Sequence, residues 1–139
     1  MVKQPKNRTK LLDELSNVFE KLALESRRGT PIIVEGKKDE ETLRRLGVGG
    51  EIILIKSIRG LRRKFENRDV RRVILLPDLD KEGEHLLKLV KKTLEGVVRE
   101  IDVSYWRRLR ILKRIGFTEV ESMDLAFRKL QRGSRDLPL

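Results

Sequence analysis

Cysteine is absent from the 139 residues, and histidine, tyrosine and tryptophan occur once each. Without thiols there is no disulfide framework and no thiolate metal site. No apolar run approaches the ~20 residues of a membrane span. The opening stretch MVKQPKNRTK is basic with no apolar core behind it, which argues against a signal peptide. The expected compartment is therefore the cytoplasm, with no membrane partner. Internal repeats and low-complexity tracts are also lacking.

Acidic residues are the scarcer sign of charge. Lys and Arg number 33 against 22 Asp and Glu, for a net charge of +11 and a pI near 10.3. A 40% share of charged residues fits a heat-adapted surface, but heat adaptation does not explain the imbalance. An excess of this size points to a polyanionic partner, because each phosphate neutralised releases a counterion. The excess is also local. Residues 56–72 hold eight basic and two acidic residues, and residues 104–135 hold nine and three. Arg59, Arg62, Arg63 and Lys64 in the first cluster, and Arg107, Arg108 and Arg110 in the second, are the candidates for phosphate contact.

At 38% hydrophobic residues the chain is long and apolar enough for a folded core, and one domain is expected over residues 1–139. Leu11, Leu12, Leu15, Val18, Phe19 and Leu22 recur at helical spacing, predicting a helix over 8–26. Buried strands are expected at IIVEG, EIILI, RRVILL and VVREIDV, with helices between them and a helix opened by Ser104. A last helix is expected over 118–131, with Thr118 as cap and Glu121 as its capping-box partner. The tail QRGSRDLPL reads as a loosely held end. Apolar strands alternating with helices specify an α/β fold: a four-stranded parallel sheet in the order 2-1-3-4, helices on both faces. The core is placed at about 30–115.

In such a sheet ligands bind beyond the carboxyl ends of the strands, where the strand order reverses. The first strand ends in Glu35, and the third, VILLPDLDKEG, ends in Asp78 and Asp80. The proposed order makes those strands neighbours and gathers the three carboxylates at one edge. Without a cation they repel one another. Oxygen donors alone, with one His in the chain, suit a hard ion, Mg²⁺ or Mn²⁺. The competing structural reading is capping of the next helix from Lys81, which accounts for Asp80 but not for Asp78 or Glu35.

These residues carry a resemblance. IIVEGKKDEETL followed by RRVILLPDLDKEGEHLLKLV resembles the Toprim domain, the catalytic module of bacterial primases, of type IA and type II topoisomerases, and of small nucleases that mature 5S ribosomal RNA. Glu35-Gly36, Asp78, Asp80 and Gly83 match its pattern of Glu-Gly and then Asp-x-Asp with a glycine three residues on. The resemblance implies that Glu35 is the general acid or base and that Asp78 and Asp80 hold Mg²⁺, with Glu82 able to join as in the type IA version. Asp39 stands where topoisomerases of that type carry lysine, as in primases and maturation nucleases. The likeness is to small stand-alone archaeal Toprim proteins.

Three activities fit. Hydrolytic cleavage of nucleic acid, DNA or RNA, needs only the carboxylates and the metal. Nicking and closing needs a covalent nucleophile, and Tyr105 is the one tyrosine, usable within the chain or across a homodimer. The alternative role for Tyr105 and Trp106 is packing, although Trp106 offers a ring on which a base could stack. The third reading is a non-catalytic nucleic-acid-binding module, which would gain by losing its repulsive acidic cluster. Primase activity is disfavoured by the lack of a zinc-binding module. His85 reads as an exposed polar residue and Phe117 as packing.

Overall fold

The computed structural model describes residues 4–135, with side chains described from residue 8 to residue 130. Its elements run α1 (Gln4–Arg27), β1 (Ile32–Val34), α2 (Lys37–Arg45), β2 (Ile52–Leu54), α3 (Ile58–Glu66), β3 (Arg72–Leu75), α4 (Lys81–Leu94), β4 (Glu100–Asp102), α5 (Ser104–Leu109) and α6 (Met123–Arg135). The four strands form one parallel sheet in the order β2-β1-β3-β4. This is the expected α/β architecture. Among the described residues no helix is long and apolar enough to cross a membrane.

The strands form where runs of branched apolar residues are covered on both faces. Ile32, Ile33, Val34, Val73, Ile74 and Leu75 are all fully buried, at roughly 1.5–3 kcal/mol for each such side chain. Right-handed crossovers fix which helix covers which face. The step from β1 to β2 runs opposite to the steps from β2 to β3 and from β3 to β4, so α2 lies on one face and α3 with α4 on the other. Accordingly α3 packs on α4, while α1 packs on α5 and α6 and α2 touches α6. The inward stripe of α1 is Leu15, Val18, Phe19 and Leu22, the heptad-like spacing that predicted the helix.

Four local expectations are corrected. The helix from Ser104 ends at Leu109, and Arg110–Ile115 tightens into a 3₁₀ turn that Gly116 closes at φ 89°. Thr118 does not cap the last helix. Its carbonyl accepts the Leu79 N–H at 2.6 Å, so the segment is drawn across β3; a 3₁₀ turn at Val120–Ser122 follows, and α6 starts only at Met123. Of the tail expected to be loose, Gln131–Arg135 continues α6, and residues 136–139 lie outside the described residues. The first helix starts earlier than expected, at Gln4.

Candidate metal and nucleic-acid site

β1 and β3 are neighbours in register, Ile33 opposite Leu75, so their carboxyl ends deliver Glu35 and Asp78 side by side. Beyond the last rung the ladder cannot continue through Pro77, which has no N–H. The next donor, Asp78 N–H, is taken by the Glu35 carboxylate, Oε2 accepting at 2.7 Å. Asp78 is itself fixed from three sides. Its Oδ1 accepts the Val120 N–H at 2.8 Å, and its carbonyl accepts the indole N–H of Trp106 at 2.9 Å. The third side is Gly83, where a Cβ would overlap the Asp78 carbonyl. The glycine three residues after Asp80 is therefore demanded by close approach of α4 to the strand end.

Asp80 is the N-cap of α4, its Oδ1 accepting from Gly83 N–H at 2.7 Å. The capping reading of Asp80 is thus met, and it leaves the second oxygen uncommitted. Glu82 is exposed in the first turn of α4. Asp39, buried on α2, closes a box with Gly36, whose N–H it accepts at 2.9 Å. Among the described residues each of Glu35, Asp39, Asp78 and Asp80 spends one carboxylate oxygen on a backbone N–H. No buried side-chain oxygen there lacks a partner, so the second oxygens of Glu35, Asp78 and Asp80 reach solvent, while Asp39 also accepts from the Glu121 N–H.

This edge is electrostatically unrelieved. Burial, and then the charges of Glu35, Asp39 and Asp80, push the Asp78 carboxyl up to about 7 against the pull of the Val120 N–H. Burial raises Glu35 too, opposed by the Asp78 N–H and helped by Asp39, Asp80 and Glu82. Asp39 is raised by burial and by the charge of Glu121, against the pull of the Gly36 and Glu121 N–H groups. Two further carboxylates belong here that the sequence reading missed. Glu119 is raised by a hydrogen bond to Glu121 and by its charge, with Asp39 and Asp80 adding to it. The signal available was the TEVESMD stretch, acidic inside a basic region, but nothing local says that it returns to β3.

The donor set is all oxygen and suits Mg²⁺ or Mn²⁺. Among the described residues no three acidic or histidine side chains are grouped as a ready-made metal cage. Mg²⁺ does not require one, since it is commonly held by one or two carboxylates and keeps waters and substrate phosphates in its other positions.

The remaining candidates separate. Tyr105 is buried and points away from this edge, its hydroxyl 3.4 Å from Glu25 Oε2 beside Arg72 and Asp102. Burial, with Glu25 and Asp102, holds its phenol above the ordinary range. Trp106 is only 4% exposed, so it has no free face for a base; Arg110 covers the ring at 5.1 Å. Arg108 is engaged by Glu14 at 2.5 Å and by Asn17 at 2.8 Å. Arg62 donates to the Thr93 carbonyl at 2.5 Å, while Arg59, Arg63, Lys64 and Arg107 are exposed. His85 is exposed and Phe117 half-buried, as expected.

Residues 30–106 match the family model described as Toprim domain. A UPF0292 protein of Methanocaldococcus jannaschii is 31% identical over 118 residues, 84% of this chain and 91% of its own. Another, of Thermococcus kodakarensis, is 36% identical over 92 residues, 66% and 69% of the two chains. Among solved structures, a protein from Aquifex aeolicus matches with a TM-score of 0.63 at 26% identity, covering 77% of this chain and 95% of that one.

Proposed function

The chain belongs to the Toprim domain family, and from that premise we propose that it is a Mg²⁺-dependent enzyme that hydrolyses phosphodiester bonds in nucleic acid. The observation that carries the reading is the joining of Glu35 to Asp78 across two neighbouring strand ends, in a cluster of carboxylates to which no cation side chain is bound among the described residues. A fold gains nothing from such repulsion, whereas a site for Mg²⁺ and phosphate needs it.

Asp78 and Asp80 are the proposed metal ligands, with Glu35 and Glu82 as further donors; Mn²⁺ satisfies the same oxygens. Bound there, the ion would supply positive charge to the phosphate oxygens and the leaving oxygen. Glu35 is the proton carrier. One of its oxygens is held by the Asp78 N–H, and the other faces solvent with a proton affinity raised by burial. It takes the proton of the attacking water as the new P–O bond forms and returns it to the oxygen released from phosphorus. The products are a phosphate monoester and an alcohol.

Hydrolysis is favoured over nicking and closing because the Tyr105 hydroxyl faces Glu25 rather than the carboxylates. The test is incubation of supercoiled plasmid and of structured RNA with the protein, with Mg²⁺ or with EDTA. Metal-dependent cutting is expected of the wild type and not of Asp78→Asn or Asp80→Asn. Both amides retain the oxygen that accepts the local backbone N–H, so the fold is kept. Full-rate cleavage by both variants would sink the assignment.

A further inference from the structure

The two basic clusters of the sequence end up on opposite faces of the sheet, and they are used differently. In the second, Arg108 is engaged by Glu14 and Asn17, and Arg128 pairs with Asp124 at 3.5 Å. Arg110 lies over Trp106 and Lys129 over Phe117. Arg108 thereby ties α5 to α1, and the others brace their own segments. In the first, Arg68 pairs with Glu51 and Arg72 with Glu25, Glu100 and Asp102, while Arg59, Arg62, Arg63 and Lys64 sit on α3, beside α4. Only Leu61 and Phe65 of α3 are buried, and the rest of its length is turned outward or sits at its margins. Arg59, Arg63 and Lys64 on α3, with Lys88, Lys91 and Lys92 on α4, are exposed and form no ion pair among the described residues. Arg62 links the two helices by donating to the Thr93 carbonyl, and its 3.5 Å pair with Glu66 is the one ion pair the two helices hold among the described residues.

We infer that the α3–α4 face is the docking surface for a double-stranded DNA backbone. Charge complementarity selects a polyphosphate, because six unpaired cations stand together and the acidic side chain of α3, Glu66, is already neutralised. The lack of rings selects a duplex. The one aromatic residue of the two helices, Phe65, is fully buried, and single strands are held largely by stacking on exposed rings. A ridge of helix-borne Arg and Lys enters or straddles the wide major groove of B-form DNA and not the deep, narrow groove of A-form RNA. Both helices start at the carboxyl edge of the sheet, so a backbone lying along them leads to Asp78 and Asp80. The inference rests on the nucleic-acid reading of the site but not on catalysis.

The experiment is fluorescence anisotropy of the full chain with a labelled 24-base-pair DNA duplex in EDTA, repeated from low to moderate salt. Arg59→Gln/Arg63→Gln/Lys64→Gln should weaken binding at least tenfold. It should also flatten the slope of log affinity against log salt by about 2 to 3, at ~0.9 for each phosphate no longer neutralised. Lys10→Gln/Lys113→Gln/Arg114→Gln removes the same charge from exposed positions on the other face and should change affinity less than twofold. Melting temperatures of both triples should match the wild type. Equal losses in the two triples, the reverse order, or tighter binding of an RNA duplex or a single strand overturns the inference. Because EDTA removes cleavage, binding without any Mg²⁺-dependent cutting would fail the hydrolytic reading alone. Intact cutting with the effect on the wrong face would fail this inference alone.

Discussion

The two ends of the sheet gather carboxylates in similar number and treat them oppositely. At the amino end, Arg72 on β3 joins Glu25 of α1 with Asp102 and Glu100 of β4. Burial alone would lower the guanidinium, but Glu25, Asp102 and Glu100 outweigh it and hold the pKa above the ordinary value. At the carboxyl end, Glu35, Asp39, Asp78 and Asp80 have backbone N–H donors and each other, and Asp78 is pushed up to about 7. One end has been neutralised by the chain itself. Among the described residues the other has only backbone donors for its carboxylates, and in the function proposed above it is a metal ion that relieves them.

The neutralised end has the most stability to lose. Arg72→Met keeps the stem but leaves Asp102 buried and unpaired. A loss of about 3 kcal/mol is expected, the lower part of the range for breaking a buried pair, because Arg72 keeps 25% of its side chain exposed. Urea denaturation checks this. The remaining folded protein should cleave with unchanged Mg²⁺ dependence, since the carboxyl edge does not use Arg72. A variant as stable as the wild type would mean that the amino-end cluster is no better relieved than the other.

Asp78→Asn acts at the opposite end with opposite signs. Cleavage should fall by about a hundredfold or more, beyond the range typical of residues behind a metal ligand. Stability without metal should rise at pH 8. Asp78 has a folded pKa raised from 3.8 to about 7. Its proton-bound form therefore adds stability that is complete below pH ~4 and is lost as pH climbs through 7. The amide removes that loss. After discounting for solvent screening the gain is on the order of 1 kcal/mol, or roughly 4 °C in melting temperature. At pH 4 the two proteins should melt together. A wild type whose stability is flat between pH 4 and 8 in EDTA would contradict the electrostatic account.

Gly83→Ala sharpens the geometry of that edge. Within an exposed helix alanine is better than glycine by up to ~1 kcal/mol, but here the methyl meets the Asp78 carbonyl. The expected result is a net cost of about 1–3 kcal/mol together with reduced Mg²⁺-dependent cutting. A stabilised and active alanine variant would show that α4 does not press on Asp78.

The sequence made the sheet order and the Glu35–Asp78 encounter readable, because handed crossovers and apolar strands leave few ways to connect four strands. It did not reveal which cations are already spent. Arg108 meets Glu14 and Arg72 meets Glu25 across 94 and 47 residues, and no local pattern encodes such pairs. The return of residues 117–122 to β3 was hidden for a more specific reason. Thr118 and Glu121 have the spacing of a capping box, a local signal overridden by the unpaired Leu79 N–H, which needs the Thr118 carbonyl. Propensity gives way where a buried donor would otherwise go unmatched.

The smallest expected effect decides between two chemistries. Tyr105 lies at the neutralised end, its hydroxyl 3.4 Å from a carboxylate that Arg72 already binds. Tyr105→Phe therefore removes one long hydrogen bond from a satisfied cluster, and a change below about 1 kcal/mol is expected. Cutting should stay within about twofold of wild type, with no protein–DNA adduct on denaturing gels from either protein. Covalent transfer needs the phenoxide at the cut, yet burial and the neighbouring carboxylates hold this phenol in its protonated form. Loss of nicking in Tyr105→Phe, with a trapped adduct in the wild type, would move the chemistry to the amino end or to a second subunit and end the contrast between the two edges.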